Sequence, residues 1–260
     1  MSAAPPLFAV ENLSLRFGGL QALKDVSFEV TEGEVFAIIG PNGAGKTSVF
    51  NIVTRVFDPS AGRVLFDGRD ITGLARHQVA GQGIARTFQN IELFEHATVL
   101  DNLLVGRHRF RGAGFFAEVL NLPSIRQDEV EHRARAEDII ELLDLQPYRA
   151  SPVAGLPYGV RKVVELARAL AAGPRLLLLD EPASGLNPEE TRDLSFWIED
   201  IKNDLGVTII MVEHDMSLVA DVSDRVLVMN QGEVLALGTP QEVKANRDVA
   251  AAYLGEPAHA

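Results

Sequence analysis

The sequence predicts an α/β fold, and three observations point to it. Continuous apolar runs at 35–39, 176–179 and 207–212 have the length and composition of strands buried on both faces of a parallel sheet. Helix-like stretches at 46–53 and 188–203 alternate with these runs. The first run is joined to the first of these stretches by a glycine-rich turn, the order strand, loop, helix.

The elements follow in order. Residues 8–17 alternate loosely between apolar and polar, as do 26–30, so both read as half-exposed strands. Residues 64–66, bounded by Gly62 and Gly68, form another short strand. From about 99 to 148 the chain changes character. Arg107, His108, Arg109 and Arg111 stand beside Gly112 and Gly114; Phe115-Phe116 follow, then a charged stretch at 126–138 running into Ile139-Ile140-Glu141-Leu142-Leu143. This segment reads as helices with a flexible joint, forming a separate lobe. Trp197 lies on the helix at 188–203. Strands at 225–229 and 234–237 flank Asn230-Gln231-Gly232-Glu233, a hairpin pattern. A terminal helix covers 248–254. There are no internal repeats and no low-complexity tract.

Composition bounds the function classes. The chain has 260 residues, 24 basic and 36 acidic, for a formal charge of -12. That balance disfavours wrapping nucleic acid, which needs a Lys/Arg surface. With no cysteine, disulfides and thiolate metal sites are excluded. The first six residues lack the basic and apolar regions of a signal peptide. No apolar run approaches the roughly 20 residues that span a bilayer. A cytosolic chain is expected, reaching a membrane only by docking to something else.

Gly40-Pro41-Asn42-Gly43-Ala44-Gly45-Lys46-Thr47 matches the phosphate-loop pattern G-x-x-x-x-G-K-[ST]. Glycines let backbone N–H groups approach phosphates that side chains would block. Lys46 would reach the β- and γ-phosphates, and Thr47 would offer its hydroxyl to Mg²⁺. The following helix adds its positive end. By itself the motif says nucleotide and no more. Asp180-Glu181 end the apolar run at 176–179, placing carboxylates at the sheet edge where ligands of open α/β sheets bind. Asp180 would hold Mg²⁺ and Glu181 would polarise an attacking water. Gln89, in Arg86-Thr87-Phe88-Gln89-Asn90, could contact Mg²⁺ or that water, or be a surface glutamine. His214 follows an apolar strand directly, and a neutral imidazole there could meet the γ-phosphate. The other five histidines have no such context.

Phosphate loop, Gln89, helical lobe, Leu156-Pro157-Tyr158-Gly159-Val160, Asp180-Glu181 and His214, in this order, resemble the nucleotide-binding subunit of ATP-binding-cassette (ABC) transporters over nearly the whole chain. The resemblance implies a RecA-like phosphate-loop NTPase core with an antiparallel β subdomain (7–98 and 174–255) and an inserted helical subdomain (about 99–173). Gly83-Ile84-Ala85-Arg86-Thr87-Phe88-Gln89-Asn90, Leu93-Phe94, Thr98-Val99-Leu100-Asp101-Asn102, Gly185-Leu186-Asn187-Pro188 and Ala252-Tyr253-Leu254-Gly255-Glu256 narrow it to the LivG type. Such proteins are one of two ATPase subunits in bacterial importers of branched-chain amino acids and related small solutes. The resemblance implies ATP and Mg²⁺, and a head-to-tail dimer with a second ABC ATPase subunit. It also implies two transmembrane permease subunits, indirectly a solute-binding protein, and a place on the inner face of the cell membrane. Phe17 would stack on adenine by resemblance; from the residues alone it is equally a core aromatic. The lobe at 107–116 would dock the permease beside Gln89. There Phe115-Phe116 is groove lining or lobe core, and the basic cluster is a lipid-facing, permease-facing or merely solvated face. A lipopolysaccharide-type exporter ATPase and a soluble non-transport ABC ATPase stand as alternatives. The second is disfavoured by the absence of coiled-coil insertions or a second cassette.

The family's usual signature is Leu-Ser-Gly-Gly-Gln, the segment that meets the partner's ATP. Here Pro157 removes a hydroxyl and an N–H, Tyr158 replaces a glycine, and Val160 replaces an amide, while Gly159 survives. A Tyr-Gly pair is common in the LivG type. Asn187 stands where the family often has aspartate. In a heterodimer whose partner supplies a full signature, a complete half-site beside a degenerate signature implies faster hydrolysis at the site built on this chain's own phosphate loop.

Overall fold

The computed structural model describes residues 5–87, 91–107 and 123–254. The strands, in chain order, are β1 (Phe8–Phe17), β2 (Leu20–Val30), β3 (Val35–Ile39), β4 (Ala61–Phe66), β5 (Arg69–Asp70), β6 (Ile84–Arg86), β7 (Leu176–Asp180), β8 (Thr208–Val212), β9 (Arg225–Asn230) and β10 (Glu233–Gly238). The helices are α1 (Lys46–Val53), α2 (Arg76–Gly81), α3 (Val99–Gly106), α4 (Pro123–Leu142), α5 (Tyr158–Ala171), α6 (Pro188–Asn203), α7 (Met216–Val222), α8 (Pro240–Ala245) and α9 (Arg247–Leu254).

Two sheets carry the fold. One is antiparallel, in the order β2-β1-β4-β5; the other runs β10-β9-β3-β8-β7-β6 and is parallel except for the β9–β10 hairpin. The architecture is mixed α/β, as the alternating pattern predicts. Strand periodicity explains how one apolar run serves two cores. Val35, Ala37 and Ile39 face a core shared with α3, α5, α6 and α7, whereas Phe36 and Ile38 face one shared with the antiparallel sheet and α1. Leu177 and Leu179 against Leu176 and Leu178 divide in the same way.

The helices at 46–53 and 188–203 have the expected bounds. Asn187 caps α6, its side-chain oxygen accepting from Glu189 N and Glu190 N at 2.9 and 3.0 Å. The hairpin turn places Gln231 and Gly232 at φ 49° and 81°, the left-handed pair of a type I′ turn. Other elements differ from the sequence reading. β2 begins at Leu20 rather than residue 26, because it pairs with β1 out to Phe17↔Leu20. β5, α2, α7 and α8 are short elements without a distinct pattern of their own, and α4 is one continuous helix through the charged stretch. The proposed joint around 108–116, with Phe115-Phe116, lies outside the described residues. Arg107 differs from a solvated or lipid-facing cation: it is half-buried and donates to His132 Nδ1 (3.0 Å) and the Ala171 carbonyl (3.3 Å). Among the described residues, no helix is long and apolar enough to cross a membrane.

Candidate functional site

The parallel strands deliver their carboxyl ends to one edge of the sheet. β3 leads into the loop at 40–47, β7 ends at Asp180-Glu181, and β8 leads into Glu213-His214. A cleft of about 260 Å³ opens there, lined by Asn42, Gly43, Lys46, Thr47, Glu181 and His214, with Leu20, Gln21 and Ala22 on one wall. The sequence analysis brings the same loop, carboxylate and histidine together; the wall at 20–22 escapes it, because nothing in those three residues carries a motif.

The loop is shaped by close packing as much as by flexibility. A Cβ on Gly40 (φ 151°) would lie 2.1 Å from the Met229 carbonyl oxygen. One on Gly45 (φ 101°) would lie 2.9 Å from the Ala22 carbonyl oxygen. Only glycine fits at either position. Gly45 is the N-cap of α1, so the helix opens directly onto the cleft. Lys46 is buried and folds back along the loop, donating to the Gly40 and Pro41 carbonyls at 2.7 and 3.0 Å. Burial lowers its pKa below the ordinary lysine value, against the opposing pull of the Glu181 and Asp180 carboxylates. A phosphate in the loop would offer this ammonium a stronger acceptor than two peptide carbonyls.

Glu181 sits at φ 51°, a conformation rare for a side chain of its size. Its Oε1 lies 2.9 Å from His214 Nε2, so the two residues form one hydrogen-bonded unit at the cleft. Buried Glu213 sets the geometry around them. Its Oε1 accepts from Ala183 N (2.8 Å), and its Oε2 accepts from His214 N (2.6 Å) and Asp215 N (3.0 Å).

Asp180 is 3% exposed and pairs with Arg86, whose side chain is 7% exposed, at 2.6 Å. The same guanidinium donates to Asn51 Oδ1 (2.9 Å) and Thr54 Oγ1 (3.0 Å) and lies 5.5 Å from the Phe50 ring centroid. Arg86 is a residue that sequence reasoning quoted only as a neighbour of Gln89. Gln89 itself lies outside the described residues.

Phe17 is 46% exposed at the end of β1, edge-on to Phe57 with centroids 5.1 Å apart. It is therefore not the core aromatic that the residues alone allow. In the segment at 156–160, Leu156 and Val160 pack on the helical core, Gly159 is buried, and Pro157 and Tyr158 are exposed. Pro157 caps α5 without any side-chain hydrogen bond.

Of the oxygen donors that Mg²⁺ prefers, the Thr47 hydroxyl lines the cleft, whereas the Asp180 carboxylate is buried against Arg86 and is not part of the cleft lining. Among the described residues there is no group of three or more His, Cys, Asp or Glu side chains that could hold a metal alone. Such a donor set suits a cation that completes its shell with phosphate and water oxygens.

The chain matches the ABC transporter family over residues 23–184, and the branched-chain amino acid ATP-binding cassette transporter family over residues 233–259. It is 43% identical to the high-affinity branched-chain amino acid transport ATP-binding protein BraF of Pseudomonas aeruginosa, over 96% of this chain and 98% of that one. It is 44% identical to LivG of Salmonella typhimurium, named for the same transport, with the same coverage. Among solved structures, the ADP conformation of an ATP-binding cassette of an ABC transporter aligns with a TM-score of 0.84 and 32% identity. That alignment covers 97% of this chain and all of the other. A nucleotide-free ATP-binding cassette aligns with a TM-score of 0.83 at the same identity and coverage.

Proposed function

The chain belongs to the ABC transporter family, and on that premise we infer that it is the ATP-binding, ATP-hydrolysing subunit of an importer of branched-chain amino acids. One observation carries the chemistry. The glycine loop, Lys46, Glu181 and His214 meet in a single cleft at the carboxyl edge of the sheet.

In this reading ATP lays its phosphates along residues 40–47. Lys46 leaves the Gly40 and Pro41 carbonyls for the phosphate oxygens, and the N–H groups opening α1 meet their charge. Glu181 orients the attacking water and accepts its proton, while His214 positions that carboxylate and meets the γ-phosphate. Thr47, Asp180 and Gln89 would hold Mg²⁺, which supplies neutralisation of the phosphate charge. Phe17, exposed and ringed by no core, stacks on the adenine.

We take 7–98 and 174–255 as the core with its β subdomain, and about 99–173 as the helical subdomain. A groove lined by Arg76, Val79, Ile84, Val105 and Arg168 lies between them, next to the segment leading to Gln89. It is the proposed dock for a transmembrane permease subunit at the inner face of the membrane. The segment at 156–160 completes the ATP site of a second cassette. Because the Pro157 and Val160 side chains cannot donate as serine and glutamine would, that site turns over more slowly than the one built on this chain's own loop when the second cassette is a different chain that supplies a full signature.

The test is native purification from membranes with mass spectrometry of the co-purifying chains. Two polytopic subunits and a second cassette are expected; ribosomal or DNA-bound partners would overturn the reading. In the purified complex, Glu181→Gln should reduce ATP turnover by at least 100-fold with nucleotide still bound. If the equivalent change in the second cassette abolishes more turnover than Glu181→Gln does, the inequality of the two sites is wrong.

A further inference from the structure

The segment that follows Glu181 is gripped from two sides by ionisable side chains. From β8, Glu213 accepts the Ala183 N–H. From α5, Lys162 reaches across and donates to the Glu181 carbonyl at 2.9 Å and the Pro182 carbonyl at 3.3 Å. The Glu181 carbonyl also accepts from Ser184 N at 3.1 Å, and its N–H donates to the Val212 carbonyl at 2.9 Å. Both peptide groups of the glutamate are therefore committed, which is what a residue held at φ 51° requires.

Lys162 lies four residues after Tyr158, on the same face of α5. Its ammonium sits 6.0 Å from the Tyr158 ring centroid. The Tyr158 hydroxyl is 3.5 Å from the Ser184 carbonyl. Its ring packs so closely on Gly185 that a Cβ there would lie 2.8 Å from Tyr158 Cε1. The N-terminal end of α5 thus holds the run at 181–185 at four points, Glu181, Pro182, Ser184 and Gly185. Burial lowers the Lys162 ammonium below the ordinary lysine value, with Glu165, Glu213, Glu181 and Asp180 drawing it back. The cation is thus partly desolvated, where its hydrogen bonds to carbonyls are strong.

We propose that Lys162 is a positioning residue for hydrolysis: it ties the backbone of Glu181 to the N-terminal turn of α5, so that the carboxylate is aimed at the cleft only while that helix is in place. Glu213 fixes the other side of the run to β8, which also carries His214. Of the two ties, one runs to the end of β8 in the sheet and the other to α5. The proposal rests on the reading of Glu181 as the residue that activates water. It also gives Tyr158 a use. Where the usual signature has a glycine, this chain has a ring that braces the same run. In a dimer whose partner's ATP meets residues 156–160, that contact would reach this chain's own Glu181 through one helical turn and one ammonium.

The measurement is steady-state ATP hydrolysis by the full transporter complex carrying Lys162→Met, Lys162→Arg or Lys162→Gln, each alone and with Glu181→Gln. Lys162→Met should lower kcat at least tenfold while KM for ATP changes less than twofold, because the phosphate loop is untouched. Lys162→Arg, which can still reach two carbonyls, should stay within about threefold of the unaltered protein. Lys162→Gln, a shorter uncharged donor, should fall between them, and it stands in if the methionine variant does not fold. In the Glu181→Gln background, replacing Lys162 should produce no further loss. A Lys162→Met protein with kcat within twofold of the original, a loss carried by KM, or an equal loss with arginine would overturn the proposal. Should Glu181→Gln itself leave turnover intact, the assignment of Glu181 fails instead, whatever Lys162 does.

Discussion

Replacing Arg86 with methionine should be among the most damaging single changes in the core. The guanidinium and the Asp180 carboxylate are both buried, 2.6 Å apart. Methionine fills much of the same volume but removes the cation hydrogen-bonded to the carboxylate, leaving only the more distant pull of Lys46 and Lys162. Breaking a buried pair by removing one partner costs about 3–5 kcal/mol, most of it the uncompensated charge. The lost hydrogen bonds to Asn51 and Thr54 and the contact with the Phe50 ring act in the same direction. Against a typical total stability of about 5–15 kcal/mol, that is a large fraction. At about 2–4 °C per kcal/mol for a chain of this size, the melting temperature should fall by about 6–20 °C. Arg86→Lys keeps the charge but loses the planar fork that serves Asp180, Asn51 and Thr54 together, so its loss should be smaller. The assay is thermal unfolding followed by circular dichroism without nucleotide. If Asp180 holds Mg²⁺ as proposed, adding Mg²⁺ with ATP should narrow the gap between variant and original. A melting temperature within 2 °C of the original for Arg86→Met would refute the reasoning, since the pair would then contribute nothing net.

Three further outcomes follow from the same geometry. Gly40→Ala drives a methyl group into the Met229 carbonyl, so ATP affinity measured by titration should fall at least tenfold. Asn187→Ala removes the acceptor for two N–H groups at the start of α6 and should cost about 1 kcal/mol in thermal unfolding, whereas Asn187→Asp should keep the cap. Arg149 holds the Glu137 carboxyl below the usual glutamate range, chiefly through their hydrogen bonds. A depressed carboxylate contributes stability that is present above its ordinary value of about 4.3 and lost as pH falls through its folded-state value. The melting-temperature gap between the original and Arg149→Gln, small for a pair this exposed, should be constant above about pH 5 and close below it.

Two helices can be read directly, while α5, long and strongly amphipathic, is not read from its own pattern. The helix at 46–53 follows a loop whose glycines dictate its path, and the helix at 188–203 announces itself by Asn187, Pro188 and Glu190. α7, by contrast, has seven residues and stands because Leu218, Val219 and Val222 are buried by their surroundings. Phe17 shows the limit from the other side. An aromatic at the end of a strand is core or surface according to what lies over it, and only the fold leaves it open to solvent.

By itself the sequence singled out 40–47, 180–181 and 214 as candidates for phosphate-binding and carboxylate chemistry, because those signals depend on residue type and spacing within a few positions. The tertiary structure alone decided which charges oppose them. Arg86 meets Asp180 across 94 residues because β6 pairs with β7 in the register Arg86↔Leu178. Lys162 meets Glu181 because the N-terminal end of α5 lies against the run that follows β7. Neither contact leaves a local trace, since a cation on a short strand and a cation on an amphipathic helix read alike until folding brings a carboxylate or a carbonyl within 3 Å.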